Sequence, residues 1–101
     1  MQFSTTLEIP GKVISENLGV VAGNVVQSKH VGRDMMAGLK SIVGGEIAGY
    51  TEMLADARDI AIERMVNEAK KRDADAIINI RFTTSAIMAS ASEILAYGTA
   101  V

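Results

Sequence analysis

The chain has 101 residues, a formal net charge of −2 and no cysteine. That length suits a single domain spanning residues 1–101, with a modest core. The absence of cysteine excludes disulfides and thiolate metal sites, and the mild acidity gives no broad electrostatic reason to bind nucleic acid. The hydrophobic content of 49% is mostly small or β-branched, with no Trp and four aromatics, which favours close packing of regular elements over a deep pocket. Met1 to Ser15 shows no basic leader followed by an apolar run. No stretch approaches the roughly 20 apolar residues that cross a bilayer. The expected setting is the cytoplasm, with no membrane and no nucleic acid as partner.

In chain order, Phe3 to Thr6 is β-prone and reads as a short edge strand. Pro10-Gly11 reads as a turn, and Lys12-Val13-Ile14-Ser15 as the start of a second strand. After a bend at Asn17-Leu18-Gly19, Val20 to Gln27 continues in β chemistry. Val20, Ala22, Asn24 and Val26 share one face, and Val21, Gly23 and Val25 the other. Both faces are apolar, so cover on both sides is expected. Asp34 is a plausible N-cap for a short helix carrying Met35, Met36, Leu39, Ile42 and Val43, which Gly44-Gly45 ends.

From Glu46 to Arg72 the pattern is that of one long helix. Glu52, Asp56, Asp59, Glu63, Asn67 and Lys70 recur at steps of four and three, on one narrow stripe. Tyr50, Met53, Leu54, Ala57, Ile60, Ala61, Ile62, Met65, Val66 and Ala69 fill most of the remaining circumference. One sheet cannot cover so wide an apolar arc, which predicts a second partner, most simply another copy of the chain. Lys70, Lys71 and Arg72 place three cations where the helix dipole favours them. Asp73 follows where glycine is usual, so a left-handed conformation is expected there with some strain.

Asp75 to Thr84 reads as a strand in which Ile78, Ile80 and Phe82 alternate with Asn79, Arg81 and Thr83. Ala86 to Ser92 is a small-residue connection, and Glu93 to Val101 a final strand. In that strand Leu95, Tyr97, Thr99 and Val101 oppose Ile94, Ala96, Gly98 and Ala100. The fold class is α+β: a small antiparallel-dominated sheet packed by one long helix.

Several runs carry a family resemblance: Gly44-Gly45-Glu46, Tyr50-Thr51-Glu52-Met53-Leu54 and Ala57-Arg58 with Ala61. Ala74-Asp75-Ala76-Ile77 and the ending Ala96-Tyr97-Gly98-Thr99-Ala100-Val101 complete it. Across essentially its whole length the chain resembles the YbjQ family (UPF0145), a group that carries a heavy-metal-binding label. The resemblance implies a dodecin-subunit-like β-α-β-β core and a ring-shaped homo-oligomer, with five subunits the expected number. Asp73 departs from the glycine common at that place in the family. A metal cofactor is implied by the resemblance only, and the family's function is unsettled.

The residues themselves give thin support for a metal. His30 is the only histidine, and zinc usually takes three or four protein ligands. In a ring, one His30 per subunit could converge on an axis, with Asp34 or Glu46 nearby; a solvated loop histidine is the plainer reading. The scattered methionines Met35, Met36, Met53, Met65 and Met88 read as core filling rather than soft ligands. The carboxylates Glu52, Asp56, Asp59 and Glu63 read as a solvated face.

Arg58, Arg64 and Glu68 fall inside the apolar arc, where a charge needs a partner. Arg64 and Glu68 are spaced to pair within the helix. Arg58 is expected to reach a carboxylate or carbonyl of another element or subunit, and the functional alternative is an anion-binding arginine in an intersubunit cleft. Tyr50 could stack on a ligand, and it joins these three as an interface or ligand candidate. Gly44-Gly45 lacks the residues of a phosphate loop, and one His with no Cys makes no nucleophile–base set. The expectation is a non-enzymatic homo-oligomer that binds a small ligand or metal at subunit interfaces, or else a bare scaffold ring.

Overall fold

The computed structural model describes residues 1–28, 42–43, 46–88 and 91–101. Strands β1 (Gln2–Phe3), β2 (Gly19–Ser28), β3 (Ile42–Val43) and β4 (Glu46–Ile47) precede helix α1 (Ala48–Lys71). Strands β5 (Ala76–Met88) and β6 (Ala91–Ala100) follow it. The main sheet is mixed, in the order β1-β5-β6-β2, with β1 parallel to β5 and the other pairs antiparallel. Among the described residues this is a small α+β fold with one helix packed against the main sheet, and β3 and β4 pair as a separate two-stranded ribbon.

The helix lies on β2 and β6 through Ala57, Ala61, Met65 and Ala69, all fully buried. Their step of four is a slanted ridge on the helix surface rather than a straight stripe. Three of the four are alanines, so the helix backbone comes down onto the sheet. The contact is closest at Gly23, where an added Cβ would lie 2.2 Å from the Ala61 carbonyl oxygen and 2.3 Å from the Met65 amide nitrogen. Val21, Val25, Ile77, Ile80, Ile94, Ala96 and Ala100 complete this core. The alternation read in β6 holds: Ile94, Ala96, Gly98 and Ala100 are buried, and Tyr97 opposite them is exposed.

Strand β5 does not alternate as its sequence suggests. Ile78 pairs with Thr99, but Arg81 pairs with Tyr97, so β5 carries one extra residue there. Asn79 takes a φ of +53° at this bulge, a conformation asparagine tolerates better than most residues. Before the bulge Ile78 shares the face of Ala76 and joins it and Ile9 in a small second cluster, and the bulge turns Ile80 to the main core beside Ile77. Both also crowd Gly98, where a Cβ would stand 2.9 Å from Ile77 Cγ2 and 3.0 Å from Ile80 Cγ1. The N-terminal loop pins the bulge. Asn79 N donates to the Thr6 carbonyl at 2.8 Å, and Ile80 N to the Ser4 carbonyl at 3.1 Å.

The turn at Pro10-Gly11 forms as read: Lys12 N donates to the Ile9 carbonyl at 3.1 Å, with Gly11 at φ +77°. Proline and a positive-φ glycine at the two central positions make a type II turn. Beyond it, Lys12-Val13-Ile14-Ser15 is not a strand; the segment is exposed, with Val13 at 94%. The bend before β2 forms when Gly19 N donates to Asn17 Oδ1 at 2.7 Å.

Three further boundaries differ from the sequence reading. Ile42 and Val43 form a strand paired with Ile47 and Glu46, not the end of a helix, so α1 starts at Ala48. The rest of the short helix expected from Asp34, with Met35, Met36 and Leu39, lies outside the described residues, as does Gly44-Gly45. The connection read at Ala86 to Ser92 is strand on both sides, with Ala86 paired to Ser92 and Met88 to Ala91. β-Pairing overrides the low strand propensity of these small residues.

Asp73 closes α1 as the sequence predicts, with φ +55°. Asp73 N donates to the Lys70 carbonyl at 3.0 Å and Ala74 N to the Ala69 carbonyl at 3.1 Å, the paired bonds of a Schellman cap.

Three substitutions test these constraints by thermal or urea unfolding followed by circular dichroism. Gly23→Ala should destabilise by about 3 kcal/mol or more, because helix backbone must move. Gly11→Ala, in open space at positive φ, should cost only about 1 kcal/mol. Asp73→Gly should raise stability by about 0.5–1 kcal/mol by relieving the left-handed conformation.

Candidate functional site

Arg64, which the sequence places in an apolar arc, and Arg72, which it places among the cations at the helix end, serve the edge of the sheet. β2 is a sheet edge, hydrogen-bonded only to β6 among the described strands. Arg64 Nη1 donates to the Asn24 carbonyl at 2.7 Å, and Arg72 Nη1 to the Leu18 carbonyl at 2.9 Å. A further strand would need such carbonyls, so the two arginines cap that edge at two points. The helix sets this geometry. Arg64 stands on α1 and Arg72 just past its end at Lys71, eight residues on and about 12 Å further along the axis.

Between helix flank and strand edge runs a groove of about 550 Å³. Arg64, Lys71 and Arg72 line it with Asn67 and Glu68, over the backbone of Val20 to Asn24. Three cations face one carboxylate there, although the whole chain is net acidic. Each guanidinium keeps further N–H donors beyond the one given to the strand. The groove can therefore hold an anion or a run of carbonyl oxygens. No aromatic side chain among the described residues lines it.

Arg64 and Glu68 come together in this groove, but not as the expected pair. Glu68 is bound instead to Lys71, at 3.0 Å, because Arg64 is drawn to the strand carbonyl. Arg58 is exposed and lies outside the groove, so it is not a charge forced into the core. Tyr50 is half-buried near the start of α1, far along the helix from Arg64. Arg72, Lys71 and Asn67 were not singled out from the sequence as site residues. The signal was present in the spacing of residues 64, 67, 68, 71 and 72, which repeats by three and four on one helix flank.

His30 lies outside the described residues, and Glu46 is described only as part of strand β4. Among the described residues, no three His, Asp or Glu side chains converge as a metal site would require. The polar stripe of α1 is solvated as read: Glu52, Asp56, Asp59, Glu63, Asn67 and Lys70 are all exposed. Of the methionines, Met65 is fully buried and Met53 half-buried, but Met88 is 64% exposed at the end of β5, not in a core. No helix among the described residues is long and apolar enough to cross a membrane.

Because Arg64 is exposed and its bond is made at the surface, Arg64→Ala should lower stability by less than about 1 kcal/mol. Equilibrium urea unfolding measures this. A loss as large as that of Gly23→Ala would mean that the groove is part of the folding core.

The YbjQ family, described as "Putative heavy-metal-binding", matches residues 1–101. A UPF0145 protein of Colwellia psychrerythraea is 69% identical over 101 residues, covering 100% of this chain and 96% of that protein. One from Archaeoglobus fulgidus is 62% identical over 98 residues, covering 97% of this chain and 91% of its own. One from Thermotoga maritima is 59% identical over 101 residues, covering 100% and 95%. With its strand–helix–strand–strand order and a family match from end to end, the chain belongs to the YbjQ (UPF0145) family.

Proposed function

We propose that the protein is a non-enzymatic homo-oligomeric module, a ring of five subunits, that binds a small ligand or metal ion where subunits meet. The observation that carries the assembly is the uncovered face of the sheet. In β2 the residues facing α1 are buried, but Val20 is 67% exposed and Val26 54% on the opposite face, beside Tyr97 at 38%. The sequence is apolar on both faces of this strand, and the described residues of one chain cover only one of them. A surface of that kind is expected where another polypeptide packs. The order β2-α1-β5-β6 agrees with a dodecin-subunit-like core, and the helix adds a half-exposed flank with Leu54 at 38%.

The groove between α1 and β2 supports the ligand half of this reading. Arg64, Lys71 and Arg72 favour an anionic ligand there, held by charge and by donor geometry. A metal ion is favoured by the family's description alone. Its donors would be contributed once per subunit, by His30 or Glu46, and brought together by the ring. The scaffold reading keeps the same ring and removes the ligand.

Native mass spectrometry of the purified protein separates these readings. The protein should appear as a multiple of the 10.7 kDa chain. A ligand or metal adduct in stoichiometry with the ring supports the binding module. A bare ring, unchanged by a panel of divalent metals and phosphate-bearing anions, leaves the scaffold. Full metal uptake by a His30→Ala variant would remove histidine from the site. A stable monomer by light scattering would overturn the assembly itself.

A further inference from the structure

Two segments of this chain are strand-like and lack, among the described residues, the partner a strand needs. The first is the stretch after the Pro10-Gly11 turn. Its sequence, Lys12-Val13-Ile14-Ser15, is β-prone, yet among the described residues 13–17 make no backbone-to-backbone hydrogen bond. Both ends are tied down: Lys12 N bonds the Ile9 carbonyl, and Leu18 N bonds the Ala100 carbonyl at 2.8 Å. Between the ties, Val13 is 94% exposed and Ile14 45%. Val13 at this exposure adds little to the fold of one chain, and Ile14 is only half covered.

The second is the outer edge of β5 beyond the bulge. The N-terminal loop covers that edge only as far as Arg81, whose Nη1 donates to the Thr5 carbonyl at 3.0 Å. From 82 to 88 every residue is exposed, including Phe82 at 43%, Ile87 at 51% and Met88 at 64%. Those residues are strand, paired with β6 on their other side with a register irregularity between Ala86 and Met88. β2 carries arginine caps on its open edge, but no described side chain bonds a backbone carbonyl of 82–88. An uncapped edge with exposed aliphatic side chains is a template for strand addition.

The two segments cannot meet within one chain. Segment 13–17 is anchored at the level of Ala100, which pairs with Ile77 on β5. The open edge begins five residues further along β5, about 17 Å away at a strand rise of about 3.4 Å per residue. A five-residue segment tied at both ends cannot climb that far and return.

We propose that residues 13–17 of one copy add as a strand to the edge formed by residues 82–88 of a second copy. This rests on the homo-oligomer reading and supplies the contact between subunits. Donor and acceptor are different surfaces, so the contact is head-to-tail and propagates until it closes, as a ring requires. Pairing two β5 edges with each other would make a two-fold dimer instead, and would leave Val13 and Ile14 still in water.

The absence of cysteine makes this directly testable. Ile14→Cys and Thr84→Cys are each introduced singly, in the full chain, with Val13, Ser15 and Ser85 as neighbouring positions to cover the register. Variants are co-expressed pairwise and oxidised, then run on non-reducing gels, with mass measured by light scattering in parallel. The expected result is a disulfide-linked dimer from the mixed pair and none from either variant alone. Self-linking of Thr84→Cys would overturn the proposal in favour of a two-fold edge contact. No linking at any pair, with the oligomer intact by light scattering, would overturn the strand exchange and leave the homo-oligomer standing. A monomer by light scattering would overturn both. As an independent check, Ile14→Pro removes a backbone donor from a segment that makes no backbone-to-backbone hydrogen bond among the described residues. It should drop the mass to 10.7 kDa with the far-ultraviolet circular dichroism unchanged. An unchanged oligomer in Ile14→Pro would sink the exchange.

Discussion

The contact between the backbone of α1 and Gly23 is the constraint on which the rest of the structure depends. With 2.2 Å between a notional Cβ and the Ala61 carbonyl, only glycine fits, and the helix is held at one distance and one angle. Alanine at 57, 61 and 69 makes this approach possible along the whole ridge. Small side chains sacrifice buried area per residue but fix the relation of helix to sheet tightly, since there are no long rotamers to adjust. The position of the arginines follows from it. Arg64 and Arg72 reach strand carbonyls because the helix axis is close to the β2 edge, and the groove they line is the space left on that flank.

A second constraint acts on the other side of the sheet. The bulge at Asn79 reverses the facing of β5, so Ile77 and Ile80 both enter the core and Gly98 must be bare to admit them. The N-terminal loop is recruited to satisfy the backbone groups that the bulge frees. That leaves β5 in two parts: a lower part locked between β6 and the loop, and an upper part standing at an open edge. Protection of one edge by arginines and exposure of the other make the molecule asymmetric about its helix. A chain with two different edges can associate head-to-tail, whereas one with two equivalent edges would tend to pair off.

Much of this was legible in the sequence, for local reasons. The polar stripe of α1, the alternation in β6, the Pro10-Gly11 turn and the left-handed Asp73 are all decided within a few residues by periodicity or by φ preference. The failures have non-local causes. The alternation of Ile78, Ile80 and Phe82 is broken by a bulge whose backbone partners lie in the N-terminal loop. The strand read at Lys12–Ser15 has the right residues but no neighbouring strand. The Arg64–Glu68 pair gives way to a carbonyl 40 positions earlier in the chain and to Lys71. Of the candidate site residues, Arg64 and Glu68 meet in one groove, while Arg58 and Tyr50 lie elsewhere.

By itself the sequence determined the class of the fold, the family, the long helix with its solvated stripe, and apolar residues on both faces of β2. These follow from the period of side chains along helix and strand, which is a property of the local backbone. Only the tertiary structure decided which apolar surface stays exposed among the described residues: the outer face of β2 and β6, and the upper edge of β5. It also decided that the arginines serve a strand edge rather than one another. Such choices depend on which elements the chain brings side by side, and no local pattern encodes distance in space.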